Sequence, residues 1–484
     1  MLKTSAVKGI IWSAIDKFAV QIGQFAVSIV LARILMPEDF GLIGMLAIFI
    51  AVSQSFIESG LGTGLIQRQE RTDVDFSTLF VFNLAVSSVF YFSLFFLAPF
   101  VAVFFNQPQL VDLLRILGLN LFLIGFSIVQ RTKLIINLDF KSIAKSNVVG
   151  IVFGGISGIF AATNGYGVWS LIYQTLVGSL ATCISLWFLS SWNPSIVFSR
   201  SSFKNLFAYG SKLLIAGLYA QLLNNIYNIF LGKFYPATSL GYYTRAKNFA
   251  DISAGMISSI LQQVSFPLLA TVQSDNEKVV RIYSKMIRLS AFVVIPLMTL
   301  ISLLAKSIVL LLLTDKWIVI IPLLQWMVFS RVFLPMSVIN LSLLNAIGRS
   351  DLFLKVDFSK FPLTVIALVI TIPLGVKAII IGHVVTSALS FVVNAYLPGK
   401  IYGYGPLHQL RDMLPIIGAT VGMAIVVFLL TYFVDNLVLE LFFGGVIGGV
   451  SYLFFCWIFK LNELKEVWEL LMDLFKNSFS SRIK

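Results

Sequence analysis

Lys17, Gln21, Gln24 and Ser28 stand at i, i+4, i+7 and i+11, which is one face of a helix, with Asp16 at its border. Gln221, Asn224, Asn225 and Asn228, at i, i+3, i+4 and i+7, again share one helical face. Arg245, Lys247, Asn248, Asp251, Ser258, Ser259 and Gln262 fall within about half the circumference of a third helix. Gln54, Ser55 and Glu58 mark one side of a fourth, and Arg331 stands alone in an apolar run. All these residues interrupt long apolar stretches. A charge at the centre of a bilayer costs about 2.5–3.5 kcal/mol on insertion scales, so such residues face a hydrated cavity, a partner or an ion path. The cations and amides suit the lining of a central cleft, and the acids Asp251 and Glu58 suit exchange of a proton or sodium ion. Other uses are open to the same residues. Amides hydrogen-bond between packed helices for roughly 0.6 kcal/mol per contact. Lys247 and Asp251, at i and i+4, can pair. Lys212 can snorkel to a surface, and Arg33 and Arg115 lie near the ends of their runs.

The elements that position these residues follow from composition. Of 484 residues 58% are hydrophobic and 12% charged, half the charge of an ordinary soluble domain at about 25%. That excludes a water-soluble globular enzyme. A span needs roughly 20 apolar residues. Fourteen runs of that kind can be marked, at roughly 9–35, 40–66, 76–104, 110–135, 143–163, 167–190, 206–233, 239–270, 285–313, 318–345, 353–373, 376–396, 414–434 and 438–459. The runs are continuous rather than alternating, which disfavours a β-barrel. The expectation is an all-α polytopic membrane protein of about fourteen transmembrane helices with short loops.

Lysine and arginine orient it. With the N-terminus inside, 24 of the 35 basic residues fall on the inner side and four (Lys233, Lys306, Lys316, Lys377) on the outer. This predicts a multi-pass membrane protein with both termini cytoplasmic. The net charge of +13 is then topological and calls for no nucleic acid. Trp187 and Trp192 near inner ends, and Trp317 near an outer end, read as interfacial anchors. Residues 462–476 carry apolar and acidic faces at helical spacing, as an amphipathic helix lying on the inner leaflet or packed beneath the bundle.

The turns Pro37–Gly41 and Pro236–Gly241 resemble each other, and beyond them Phe49, Ser53 and Ile57 match Phe249, Ser253 and Ile257 at an offset of 200. Six spans precede the linker near Ser191–Lys204 and six follow it. Six is even, so the halves share an orientation, related by a pseudo-twofold along the membrane normal. The expected organisation is a six-helix lobe in 1–200, a second in 201–400, helices 13 and 14 in 401–460, and a cytoplasmic amphipathic tail in 461–484.

Other signals are set aside. Asp73-Val74-Asp75 has an acid-x-acid form, but on an inner loop with Arg68 and Arg71 it reads as a charged loop capping the third span. No P-loop pattern is present, and His383 and His408 have no Cys or His partner at ligand spacing. No metal or other cofactor is therefore expected. The glycines 154, 155, 158, 444, 445, 448 and 449 read as close helix contacts.

Ala32-Arg33-Ile34-Leu35-Met36-Pro37-Glu38-Asp39-Phe40-Gly41 resembles the span 1–2 signature of bacterial polysaccharide flippases, and Phe56-Ile57-Glu58-Ser59-Gly60-Leu61 the end of their second helix. These belong to the multidrug/oligosaccharidyl-lipid/polysaccharide exporter superfamily. The motif covers about residues 9–66, while the architecture covers most of the chain. The resemblance implies two lobes alternating between inward- and outward-open states, and a substrate oligosaccharide on a polyprenyl diphosphate carrier. It implies a cationic cavity, for which Lys17, Arg245 and Lys247 fit best. With them, Gln21, Gln24, Arg33, Asn224, Asn225, Asn228 and Arg331 form the candidate substrate-binding set, and Asp251 and Glu58 the candidate ion-coupling pair. Two rivals are weighed. A multidrug extruder of the same superfamily would favour acids, whereas seven cations (Lys17, Arg33, Arg115, Lys212, Arg245, Lys247, Arg331) stand against three acids (Asp16, Glu58, Asp251) inside the spans. A polysaccharide polymerase or ligase would need a long catalytic outer loop, and these loops are short. The expectation is a transporter, not an enzyme, with the lipid-linked sugar and membrane lipids as its partners.

Overall fold

The computed structural model describes residues 2–58, 60–467 and 469. Among them every regular element is a helix. Two compact units appear, Met1–Thr244 and Arg245–Lys484.

The first unit holds α1 (Leu2–Ile34), α2 (Pro37–Glu58), α3 (Leu61–Gln67), α4 (Asp73–Phe105), α5 (Leu110–Leu117), α6 (Asn120–Ile136), α7 (Phe140–Thr163), α8 (Trp169–Leu189) and α9 (Arg200–Phe234), and the first turns of α10 (Ala237–Thr271). The second holds the rest of α10, then α11 (Asn276–Leu303), α12 (Ala305–Leu312), α13 (Ile320–Met327), α14 (Phe329–Val332), α15 (Leu334–Ala346), α16 (Ser350–Thr371), α17 (Val376–Tyr402), α18 (Pro406–Phe433) and α19 (Leu437–Ile458). Among the described residues, thirteen helical segments are long and apolar enough to cross a membrane. The fourteenth expected span is α16, whose first half carries Asp351, Lys355, Asp357 and Lys360. Lys360 pairs with Asp357 one turn earlier.

Local chemistry explains the element ends. Thr72 and Asp75 form a reciprocal capping box at the start of α4, and Arg68 reaches Asp75 at 2.9 Å. The charged loop thus closes a helix terminus, as its sequence suggested. Asp275 caps α11 by accepting from the Lys278 amide at 3.1 Å. The Lys278 ammonium also donates to its carboxylate and holds it below the usual aspartate range.

Glycine sets the helix approaches. A Cβ at Gly154 would lie 2.6 Å from the Gln174 carbonyl, and one at Gly150 would lie 1.9 Å from Thr182 Oγ1, so α7 and α8 touch backbone to backbone. The repeated turns meet each other. A Cβ at Gly41 would fall 1.8 Å from the Ala237 carbonyl oxygen, and one at Gly241 would fall 1.8 Å from the Pro37 oxygen. Positions 37 and 41 thus contact 241 and 237 reciprocally.

Two tryptophans differ from expectation. Trp192 is buried against Phe76 and Phe80 of α4, and Trp317 is fully buried. Both are core residues rather than interfacial anchors. Trp192 lies in the segment leading to α9, which Ser77–Ser195 and Ser199–Thr78 hydrogen bonds of 2.8 and 3.0 Å tie to α4. In the tail, Glu463 accepts from Arg288 at 3.0 Å and Glu466 from Lys285 at 3.2 Å, so its acidic face begins by docking on α11. Most of the rest of the expected 462–476 helix lies outside the described residues.

Candidate functional site

In the first unit, α1 packs on α7 through Asp16, Gly23 and Val27. Asn147 donates to both Asp16 oxygens at 2.9 and 3.1 Å, Gly23 faces Ile151, and Val27 faces Gly155. This line is turned about 110° from Lys17, Gln21, Gln24 and Ser28. Lys17 and Gln24 are therefore exposed while Gln21 and Ser28 are half-buried. Asp16 is spent on a helix contact and leaves the polar stripe cationic. Arg33 is exposed at the end of α1.

The α9 amides divide. Asn225 donates to the Gln221 carbonyl at 3.0 Å, and Asn228 lies 3.5 Å from the Asn225 side-chain oxygen, so these contact one another along their own helix. Asn228 is buried and Asn224 is exposed. Glu58 accepts from Gln54 at 3.1 Å at the exposed end of α2. Two further cations, one inside a span and one at an outer end, are fixed by neighbours. Arg115 stacks on Phe95 at 4.2 Å and donates to its carbonyl, and Lys233 donates to the Phe104 carbonyl at 2.7 Å.

The second unit builds a charge cluster from three helices. Arg331 on α14 donates through Nε to Asp251 Oδ1 on α10. Its Nη1 lies 3.2 Å from His383 Nε2 on α17. Lys247, one turn before Asp251, feels the charges of both Asp251 and Arg331. The Arg331 side chain is 12% exposed and that of Asp251 is 40%, so the carboxylate marks the accessible side. Arg245 is elsewhere: it is 5% exposed, and two residues of helix turn it about 160° from Lys247. The structure therefore separates Arg245 from Lys247 and joins Arg331 to both Asp251 and His383. The i+4 spacing pointed to Lys247 as the partner of Asp251. A pairing between residues 80 positions apart leaves no periodic trace.

Residues 30–322 match the family described as polysaccharide biosynthesis protein. The chain is similar to the lipopolysaccharide biosynthesis protein WzxC of Escherichia coli, at 26% identity over 82% of this chain and 80% of that one. It is similar to the succinoglycan biosynthesis transport protein ExoT of Rhizobium meliloti, at 24% over 91% and 90%. It is also similar to the teichuronic acid biosynthesis protein TuaB of Bacillus subtilis, at 23% over 86% and 87%. Among solved structures, the lipid II flippase MurJ in an inward closed conformation superposes with a TM-score of 0.79 at 17% identity, over 93% of this chain and 98% of that one. A multidrug resistance MATE family transporter of the MOP superfamily gives 0.62 at 19%, over 80% and 97%. At these identities the structures establish a shared fold.

Proposed function

This chain belongs to the polysaccharide biosynthesis protein family, and from that premise we propose that it is a secondary-transport flippase. It moves an oligosaccharide repeat unit on a polyprenyl diphosphate from the inner to the outer leaflet by alternating access, for assembly of a surface polysaccharide. It works in the bacterial inner membrane with both termini cytoplasmic. It is a carrier and not a catalyst. The two repeat halves, with boundaries near residues 200 and 400, act as its moving lobes.

The observation that carries this reading is the set of cations inside membrane-spanning helices: exposed Lys17 on α1, and Lys247 with Arg331 beside the partly exposed Asp251. A diphosphate loses its hydration on leaving water, and fixed cations with hydrogen-bond donors offset that loss. Arg331 brings a planar fork for phosphate and Lys17 a compact charge. A cation extruder would be served poorly by this balance of charge. Asp251 or Glu58 exchanges the coupling proton or sodium ion.

The test is a deletion strain supplied with radiolabelled lipid-linked sugar. Labelled carrier should accumulate on the inner leaflet, and the wild-type gene should clear it. Normal surface polysaccharide in the deletion strain would refute the assignment.

A further inference from the structure

A guanidinium has five N–H donors and no acceptor. With Arg331 Nη1 at 3.2 Å from His383 Nε2, that nitrogen must accept, so the imidazole is neutral and carries its proton on Nδ1. The ring thereby helps aim Arg331 at Asp251. A second proton on the ring would place a donor against a donor, beside two cations. The contact would break, leaving Asp251 as the acceptor that still holds the guanidinium and freeing an edge of it. The charges move the same way. Lys247, Arg331 and Asp251 sum to +1 with neutral histidine and to +2 with imidazolium.

We propose that His383 is a positioning residue that makes proton uptake by this cluster and binding of a phosphate-bearing anion reinforce each other. Neutral His383 and Asp251 share Arg331 when the anion is absent. The anion and the proton together replace that arrangement: phosphate takes the freed guanidinium edge, and the imidazolium adds a charge. Linkage requires each to favour the other by the same factor. This deepens the reading of a diphosphate-carrying substrate and rests on it.

The surroundings add little competing charge. The α13 and α15 helices have no charged residue. On α16, Asp357 and Lys360 pair with each other. On α17, Lys377 is six positions from His383 and about 120° round the helix. The ionisable groups of α18 gather at its start, where Asp412 is held by Tyr404 and Arg288 while His408 and Arg411 are exposed.

The test uses the full-length protein in lipid nanodiscs with inorganic diphosphate as the probe, at pH 4 and pH 8. His383→Gln keeps an acceptor oxygen but cannot titrate. The probe's own protonation is common to both proteins, so the comparison isolates the ring. The tightening from pH 8 to pH 4 should be about fivefold greater in the wild type than in His383→Gln, the lower end of usual coupling factors. An equal pH response in the two proteins overturns the proposal and leaves the flippase reading standing. Should His383→Gln fail to fold, nitrogen NMR of the wild-type imidazoles decides, since the chain has two histidines. Diphosphate should raise the pH at which His383 protonates, and an unmoved midpoint rejects the linkage. If diphosphate binds at no pH, the proposal falls. The radiolabel experiment then decides independently whether the flippase reading falls with it.

Discussion

Lys17 and Arg331 are both cations within apolar helices, but their settings predict different outcomes. Lys17 is exposed and lies away from the α7 contact line, so Lys17→Ala should leave the protein level unchanged while abolishing polysaccharide export. Normal export at normal protein level would remove Lys17 from the mechanism. Arg331 is tied to Asp251 and His383, so removing it breaks that pair and leaves Lys247 as the cation near the carboxylate. Loss of a buried pair with no remaining cation costs about 3–5 kcal/mol. The Asp251 side is partly accessible, which places the loss for Arg331→Ala below that range. Arg331→Lys keeps the charge without the fork and should fall between wild type and alanine in export, with stability followed by thermal aggregation of the detergent-solubilised protein. Sequence spacing exposed the α1 stripe because its four residues share one helix. It could not expose the role of His383, which depends on α14 and α17 meeting α10.

At the scale of elements, positions with no ionisable chemistry decide the packing. Gly41→Val would put side-chain atoms where the Ala237 carbonyl already lies. It should therefore block the α2–α10 approach and lower folded protein sharply, and Gly241→Val should do the same for the reciprocal reason. Gly445 and Gly449, unlike the other glycines expected at close helix contacts, have nothing within 4 Å of an added Cβ, so Gly445→Ala is the control and should behave as wild type. Fluorescence size-exclusion profiles of the three proteins measure this directly; well-folded Gly41→Val protein would show that the contact is dispensable. Thr72→Ala removes the side-chain acceptor that closes the capping box on α4 and should cost about 1 kcal/mol. The repeat of Pro37–Gly41 in Pro236–Gly241 was legible as a sequence pattern. Its physical reason, two helix starts crossing through each other's glycine, required coordinates. The same limit applies to Trp192 and Trp317. Distance from a span end marks an interfacial anchor only when no neighbouring segment covers the ring, and a linker or a short helix can cover it.

For the whole molecule, the number of crossings turns on α16. Length and hydropathy pick out thirteen segments without it, because four charges crowd its first half. Two physical facts favour a crossing. Lys360 and Asp357 pair within the helix, which reduces the cost of carrying them toward the hydrocarbon. The basic residues also keep their 24 to 4 asymmetry only if α16 spans, since otherwise every segment after it would change sides. Single cysteines placed in a background lacking Cys183 and Cys456 can read the result with a membrane-impermeant thiol reagent on intact spheroplasts. Sites at Gln107, Gly165 and Gly375 should label from outside, and sites at Leu138, Ser274 and Gly403 only after permeabilisation. The pair that decides is Gly375 and Gly403, which flank α17. If Gly403 labels from outside and Gly375 does not, α16 returns to the face it left. The molecule would then have thirteen crossings, an external C-terminus and a second half in which the charges no longer match the orientation of the first.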